Sequence, residues 1–214
     1  MSGLDQIVNN CFEKLLVEYE NFANRWQFVE TKNTVDMFVN KNHEINMHMG
    51  STTIETCLSQ VELSELIRDL HADVNIMKLW DERLGTSQIL LEGNNAVVVY
   101  AQYHFNNPLV SDRDFLFASK KFVDGQKRIH YVSTSVDLTG NKQNPNYVRG
   151  KILTNAWCVE EMPNFPNKFS FIYVIQADPC GKIIPTLVNA VSSDRVFLVK
   201  KFKDYIEAKF PVRK

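Results

Sequence analysis

No stretch of this sequence stays apolar for the roughly 18 residues a spanning helix needs, and none resembles the h-region of an export signal. The chain therefore reads as one that neither spans a membrane nor leaves the cell by a recognisable signal. Cysteine is sparse. Cys11, Cys57, Cys158 and Cys180 show no C-x-x-C spacing and read as reduced thiols, which points to the cytoplasm. Charge of one sign is lacking too. A net charge of −1 excludes a general polyanion binder, so no nucleic-acid partner is expected. H-E-x-x-H, G-x-S-x-G and phosphate-loop motifs are absent, and His43, His48, His71, His104 and His130 are scattered. No catalytic residue, no metal ligand set and no cofactor is expected. The chain is not disordered either, because 11% of its residues are aromatic.

Near the C-terminus another absence becomes informative. From Lys182 onward there is no glycine, and between Pro185 and Pro211 there is no proline. Leu187, Val191, Leu198, Phe202, Ile206 and Phe210 recur mostly three and four residues apart, which puts them on one helical face. Pro185 suits the first helical turn. The spacing predicts a helix of about 25 residues, roughly 37 Å long. Ser192-Ser193-Asp194 is its weak point, since short polar side chains compete for the backbone there. From Lys200 onward six basic residues face two acids, a net of +4 that would be attracted weakly to an anionic membrane surface.

Leu4 to Phe22 reads as a docked amphipathic helix, with Leu4, Ile7, Val8, Cys11, Leu15 and Phe22 inward and Glu13, Lys14, Glu18 and Glu20 mostly outward. The period then changes to two. Trp26-Phe28, Val35-Met37-Val39 and Ile45-Met47-Met49 predict a three-stranded antiparallel meander. Ser59-Gln60-Val61-Glu62 fits a capping box, and Leu63, Leu66, Ile67 and Leu70 follow on one face. Asp73 would cap a second short helix. From Ser87 six further strands are expected: 87–92, 96–105, 114–123, 128–136, 147–159 and 168–177. Gly93-Asn94-Asn95 and Asp124-Gly125 mark hairpins between them. The sum is an α+β chain: nine antiparallel strands in a curved sheet gripping one long C-terminal helix, as a single domain over 1–214. A cavity between sheet and helix would suit a ligand.

Four motifs stand in register on that element order: Trp80-Asp81, Pro108-x-x-Ser111-x-Arg113-Asp114-Phe115, Val148-Arg149-Gly150, and Asp178-x-x-Gly181-x-x-x-Pro185-x-x-Leu187-Val188-Asn189. Together they resemble the StAR-related lipid transfer (START) domain over about residues 4 to 210. The likeness is greatest to small free-standing members such as phosphatidylcholine transfer protein. The resemblance implies a helix-grip fold, one lipid in an internal tunnel, transfer between membranes through the cytosol, no cofactor and no enzyme activity. A lipid sensor acting on a protein partner is the alternative. A cavity enzyme of the cyclase or hydrolase type, with His104 near Tyr100 and Gln102, stands further off. The choline-cage positions of the phosphatidylcholine binder fall at Gln102, Phe115 and Leu153, and its phosphate arginine falls at Met77, beside a retained Asp81. The acid and arginine of sterol carriers fall at Tyr100 and Ser119. Neither phospholipid nor sterol is thereby selected.

The expected lipid-binding residues are Tyr100, Gln102, Ser119 and Asn155, pointing as polar groups into one space, with Phe115, Phe117, Leu153, Trp157, Leu187 and Val191 as apolar wall. Arg113 and Asp114 are expected to anchor the loop ahead of their strand, and Arg149 to brace a loop. Leu109 and Val110 are the expected gate, touching a membrane transiently during exchange. The protein is expected to act as a monomer.

Overall fold

Helix α1 (Ser2–Glu20) forms where the period-3.6 pattern places it. Val8, Cys11 and Leu15 are buried, as is Phe12, which completes the stripe. Ile7 and Phe22 are exposed instead, Phe22 in the short α2 (Phe22–Arg25). Glu18 turns inward against expectation. Its carboxylate accepts from Arg25 Nη1 at 2.6 Å and Asn40 Nδ2 at 2.7 Å, so its burial is compensated. The computed structural model describes residues 2–72, 74–79, 81–93, 96–105, 111–141, 143–183 and 185–212. At residues 2, 69–72, 74, 76, 185–187 and 190 it describes the backbone alone. The Asp73 cap and Trp80 lie outside the described residues.

The meander is present as β1 (Gln27–Lys32), β2 (Val35–Asn40) and β3 (Met47–Glu55), paired antiparallel. Val35, Met37 and Val39 alternate inward, whereas β1 is an exposed edge strand. The capping box of α3 (Gln60–Ala72) is closed in both directions. Ser59 N donates to Glu62 Oε2 at 2.8 Å, and Glu62 N donates to Ser59 Oγ at 3.3 Å. After α4 (Val74–Lys78) come β4 (Leu84–Glu92), β5 (Ala96–Tyr103), β6 (Arg113–Val123), β7 (Ile129–Ser135), β8 (Val148–Arg149), β9 (Lys151–Glu161) and β10 (Lys168–Asp178).

The strand expected at 147–159 divides at Gly150. Its first part, β8, pairs parallel to β6, and the rest, β9, pairs antiparallel between β7 and β10. A Cβ at Gly150 would collide with the Phe115 ring, so the crossing needs glycine. The sheet runs β1-β2-β3-β10-β9-β7-β6-β5-β4, with β8 beside β6. Pairing β3 with β10 joins the first hairpins to the last strand.

Each face of this sheet has its own core. On the outer face α1 packs Val8, Leu15 and Phe12 against Leu116, Val132 and Val174. On the inner face, Phe117, Trp157, Phe171 and Tyr173 meet α3 and the C-terminal segment. Trp157 stacks on Tyr173 at 4.1 Å between centroids, and Phe171 on Phe202 at 4.7 Å. The C-terminal helix is not continuous. α5 (Pro185–Arg195) and α6 (Leu198–Lys209) are separated at Val196-Phe197 by i→i+3 hydrogen bonds, just past the polar triplet. The break rests on β3 at Gly50, where a Cβ would stand 2.7 Å from the Val196 carbonyl oxygen. The architecture is the α+β helix grip, with a short tenth strand added.

Candidate functional site

Beyond the aromatic core the inner face opens into a cavity beneath α5. Phe115, Ile152 and Ile175 form its floor, and Val188 and Val191 its roof. Ser192 and Arg195 continue the same helical face, since positions 188, 191, 192 and 195 share one stripe. Arg83, Phe105, Pro179 and Ile183 form the rim. The wall is mostly apolar. The space within reach of a water molecule's centre is ≈ 80 Å³, well below the roughly 300–1,000 Å³ of a loaded ligand pocket.

Polar groups gather on one wall. Arg195 Nη1 donates to Asp81 Oδ2 at 2.7 Å, tying the end of α5 to the turn before β4, and its guanidinium lies 5.0 Å from the Tyr103 ring centroid. Burial works against the Arg195 charge, but the Asp81 carboxylate more than offsets this and holds the guanidinium protonated. Arg83, at the rim, faces Asp194 at 3.5 Å. Burial also pushes the Tyr103 and Tyr173 phenols up, so both are neutral hydroxyls. The Tyr173 hydroxyl, outside the lining, is buried beside Asn155 and Arg195, and Asn155 Oδ1, in the cavity wall, is buried with no partner in hydrogen-bonding geometry. His48, on the inner face of β3 beside Asn189 of α5, has Nε2 buried in the same state, and burial lowers its pKa.

Of the expected site residues, Phe115, Asn155 and Val191 line this cavity. Phe117 and Trp157 lie on the same face but in the packed core. Ser119 shares that face at the end away from the cavity, where its Oγ accepts from Ser133 Oγ at 3.0 Å. Tyr100 and Gln102 must be corrected. Register pairs Ala101 with Phe115 and Gln102 with Asp114, so Val99, Ala101 and Tyr103 face inward while Tyr100 and Gln102 face outward. There Gln102 Nε2 donates to Tyr100 Oη at 3.0 Å, and Tyr100 donates to Asp114 at 2.9 Å. Leu153 is corrected as well. An irregularity between Gln176 and Ala177 inserts one residue opposite, and Leu153 is 39% exposed beside the outer groove under α1. The side chain of Leu187 and both gate residues, Leu109 and Val110, lie outside the described residues.

The charges of the motifs are braces. Asp114 is fully buried and accepts from Arg149 Nε at 2.9 Å and Nη2 at 3.0 Å. Arg113 donates to the carbonyls of Pro179 and Cys180, each at 3.0 Å, and of Ser111. These bonds join the loop before β6 to the segment entering α5. His104 Nδ1 meets Asp112 Oδ2 at 2.6 Å, away from Tyr100 and Gln102. Among the described residues no group of three or more potential metal ligands occurs. The expected basic surface is offset locally: Lys200 meets Asp204 at 2.5 Å, Lys203 meets Glu207 at 2.6 Å and Lys201 meets Glu82 at 3.4 Å. No described helix is long and apolar enough to cross a membrane.

Sequence reasoning missed Tyr103 and Arg195. Arg195 was legible in part, since it stands four residues past Val191 on the same helical face. Tyr103 needed the strand parity of β5, which the sheet register decides.

The START domain family model matches residues 8–204. No curated protein matches the amino-acid sequence itself. Among solved structures, human StAR-related lipid transfer protein 5 is similar with a TM-score of 0.82 and 18% identity, over 97% of this chain and 98% of that one. Human STARD10 is similar with a TM-score of 0.74 and 17% identity, over 91% and 78%. The lipid transfer and protein localization domain of human StarD13 is similar with a TM-score of 0.70 and 16% identity, over 94% and 97%. At such identities the likeness establishes the shared fold.

Proposed function

The chain belongs to the START domain family, and from that premise we propose that it binds one lipid between the inner face of the sheet and α5 and carries it between membranes. The observation that carries this reading is the apolar-walled space beneath α5, with the uncompensated Asn155 Oδ1 in its wall. An acyl chain needs only apolar wall, and each buried CH₂ contributes about 0.8 kcal/mol. A head group needs buried partners, and the unpaired Asn155 Oδ1 in the cavity wall supplies one. At ≈ 80 Å³ the space does not hold an acyl chain, so loading displaces α5 outward. The Val196-Phe197 break is the place for that movement. Family membership supports lipid over other cargo.

Mass spectrometry of the purified protein, native and then after solvent extraction, tests the reading. One lipid per chain is expected. A protein that arrives empty and also refuses phospholipids, sterols, ceramides and fatty acids would overturn it. Leu109 and Val110 are proposed to touch the membrane during exchange. Changing both to Asp should slow vesicle-to-vesicle transfer while leaving the unfolding midpoint alone; unchanged transfer removes them from the gate.

A further inference from the structure

On the outer face of the sheet, away from the cavity beneath α5, a second space opens beside α1. The part of it within reach of a water molecule's centre is ≈ 630 Å³, inside the roughly 300–1,000 Å³ of small-molecule pockets. It opens where the β7–β9 ladder stops, at Ser133 and Asn155. Beyond that pair the two strands are joined by side chains instead. Thr134 Oγ1 donates to the Leu153 carbonyl at 3.1 Å, and Ile152 N donates to Ser135 Oγ at 2.8 Å. From α1 the Cys11 thiol donates to the same Leu153 carbonyl at 3.5 Å. The helical wall and the strand wall of the groove are therefore tied to one another before any ligand arrives.

The floor is apolar, with Leu15, Met47 and Leu116 all buried. The walls carry apolar groups that are not covered: Ile7 on α1 is 43% exposed and Leu153 on β9 is 39% exposed. Charge stands beside them. Lys14 lies one turn past Cys11 on α1, and Lys151 shares the outward side of β9 with Leu153, so the two ammoniums come from opposite walls. Among the described residues neither lysine makes an ion pair or a hydrogen bond. Other charges of the lining are engaged. Arg149 is held by Asp114, and Glu18 by Arg25 and Asn40. Asp137, exposed, is the acid left over. Two free cations against one free acid leave a net of +1. A neutral head would gain nothing from that charge, and a phosphate dianion would exceed it beside Asp137 and Glu18. A monoanion on an apolar body matches both features. We propose that this outer groove is a second binding site and takes a small amphipathic carboxylate. Its apolar body lies on Leu15, Met47 and Leu116 between Ile7 and Leu153, and its carboxylate meets Lys14 and Lys151. The assignment does not depend on what the inner cavity holds.

The test adds octanoate to the whole chain and follows its backbone amides by NMR. Signals of Cys11, Lys14, Ser135, Lys151 and Leu153 should move together and saturably. Val188, Val191 and Arg195 report the inner cavity, while Ile152 lines both spaces and is left out of the comparison. Octanamide has the same chain without the charge and should bind at least about fivefold more weakly, the factor for about 1 kcal/mol from an exposed ion pair. Lys14→Gln and Lys151→Gln should each weaken octanoate by about the same factor and leave octanamide unchanged. Neither should move the unfolding midpoint, because neither lysine has a partner to lose. Leu153→Asp sets a like charge in the groove and should remove octanoate binding; its spectrum shows in the same experiment that it is folded. Movement confined to the inner-cavity signals would overturn the second site and leave lipid binding standing. Octanamide bound as tightly as octanoate, lysine variants without effect, or octyl phosphate bound more tightly than octanoate would each overturn the carboxylate assignment. A dimer that covers the same amides without any ligand would give the groove to a second copy and overturn it too. No movement at all overturns the site outright.

Discussion

Removing one partner of the Asp81–Arg195 pair should test the wall of the cavity most directly. Asp81 is 2% exposed and the Arg195 side chain 16% exposed, with N–O at 2.7 Å. At charge centres about 4 Å apart and an effective dielectric near 20, the Coulomb attraction is about 4 kcal/mol before desolvation. Leaving one buried charge unpaired costs roughly 3–5 kcal/mol, and the partial exposure of Arg195 places Asp81→Asn at the lower end, about 3 kcal/mol. For a chain of 214 residues, each kcal/mol moves the thermal midpoint about 2–4 °C, so a fall of about 6–12 °C is expected. Arg195→Met should behave similarly. The double variant Asp81→Asn/Arg195→Met removes both charges together and should recover at least half of the summed single losses. Urea unfolding of all four proteins, compared at constant m-value, measures the coupling. Because the pair anchors the last residue of α5, amide exchange in α5 should quicken in the single variants. Losses that simply add in the double variant would refute the reasoning, since the two charges would then not be stabilising one another.

Three further predictions rest on other contacts. Gly50→Ala forces a Cβ to 2.7 Å from the Val196 carbonyl, so the helix break must lift off β3; a loss of about 1–3 kcal/mol in urea unfolding is expected, and an unchanged midpoint would mean that the break does not rest there. Ser59→Ala removes both Oγ bonds of the capping box and should cost about 1 kcal/mol, read as the same midpoint shift; a loss under a few tenths would show that the cap is redundant. Burial lowers the pKa of His48 and His130 from the ordinary 6.5, so below about pH 6.5 the unfolded chain binds protons that the folded chain refuses. Stability should therefore fall between pH 7.5 and 5.0, and His48→Gln should make that fall shallower; a flat wild-type profile would contradict the sign. Burial opposes the Asp124 charge, but hydrogen bonds from His130 and Arg128 keep its carboxyl pKa below the ordinary 3.8, so its own contribution is lost only in stronger acid.

Much of this was legible in the sequence because the relevant forces are local. The 3.6-residue recurrence of Val8, Cys11 and Leu15, the period-two alternation of Val35, Met37 and Val39, and the Ser59-x-x-Glu62 box each encode an element within a few residues. The polar triplet Ser192-Ser193-Asp194 marked the C-terminal helix as breakable, and the break falls just beyond it. Even the motif charges could be read as braces. What a strand cannot announce is which of its two faces meets the core when both are mixed. In β5 the polar face, Tyr100 and Gln102, looked like the inside, yet the antiparallel register with Phe115 sends Val99, Ala101 and Tyr103 inward. One inserted residue at Leu153 likewise turned a presumed wall residue out to the surface while bringing Ile152 in. The partner of Asp81 comes from Arg195, 114 residues away, and only folding brings the two together. The sequence by itself determined the elements, their order and the family pattern, because hydrophobic period and capping act over single turns. The tertiary structure decided the membership of the cavity wall, because a face in a sheet is set by register with distant strands, and a buried charge by whichever opposite charge arrives beside it.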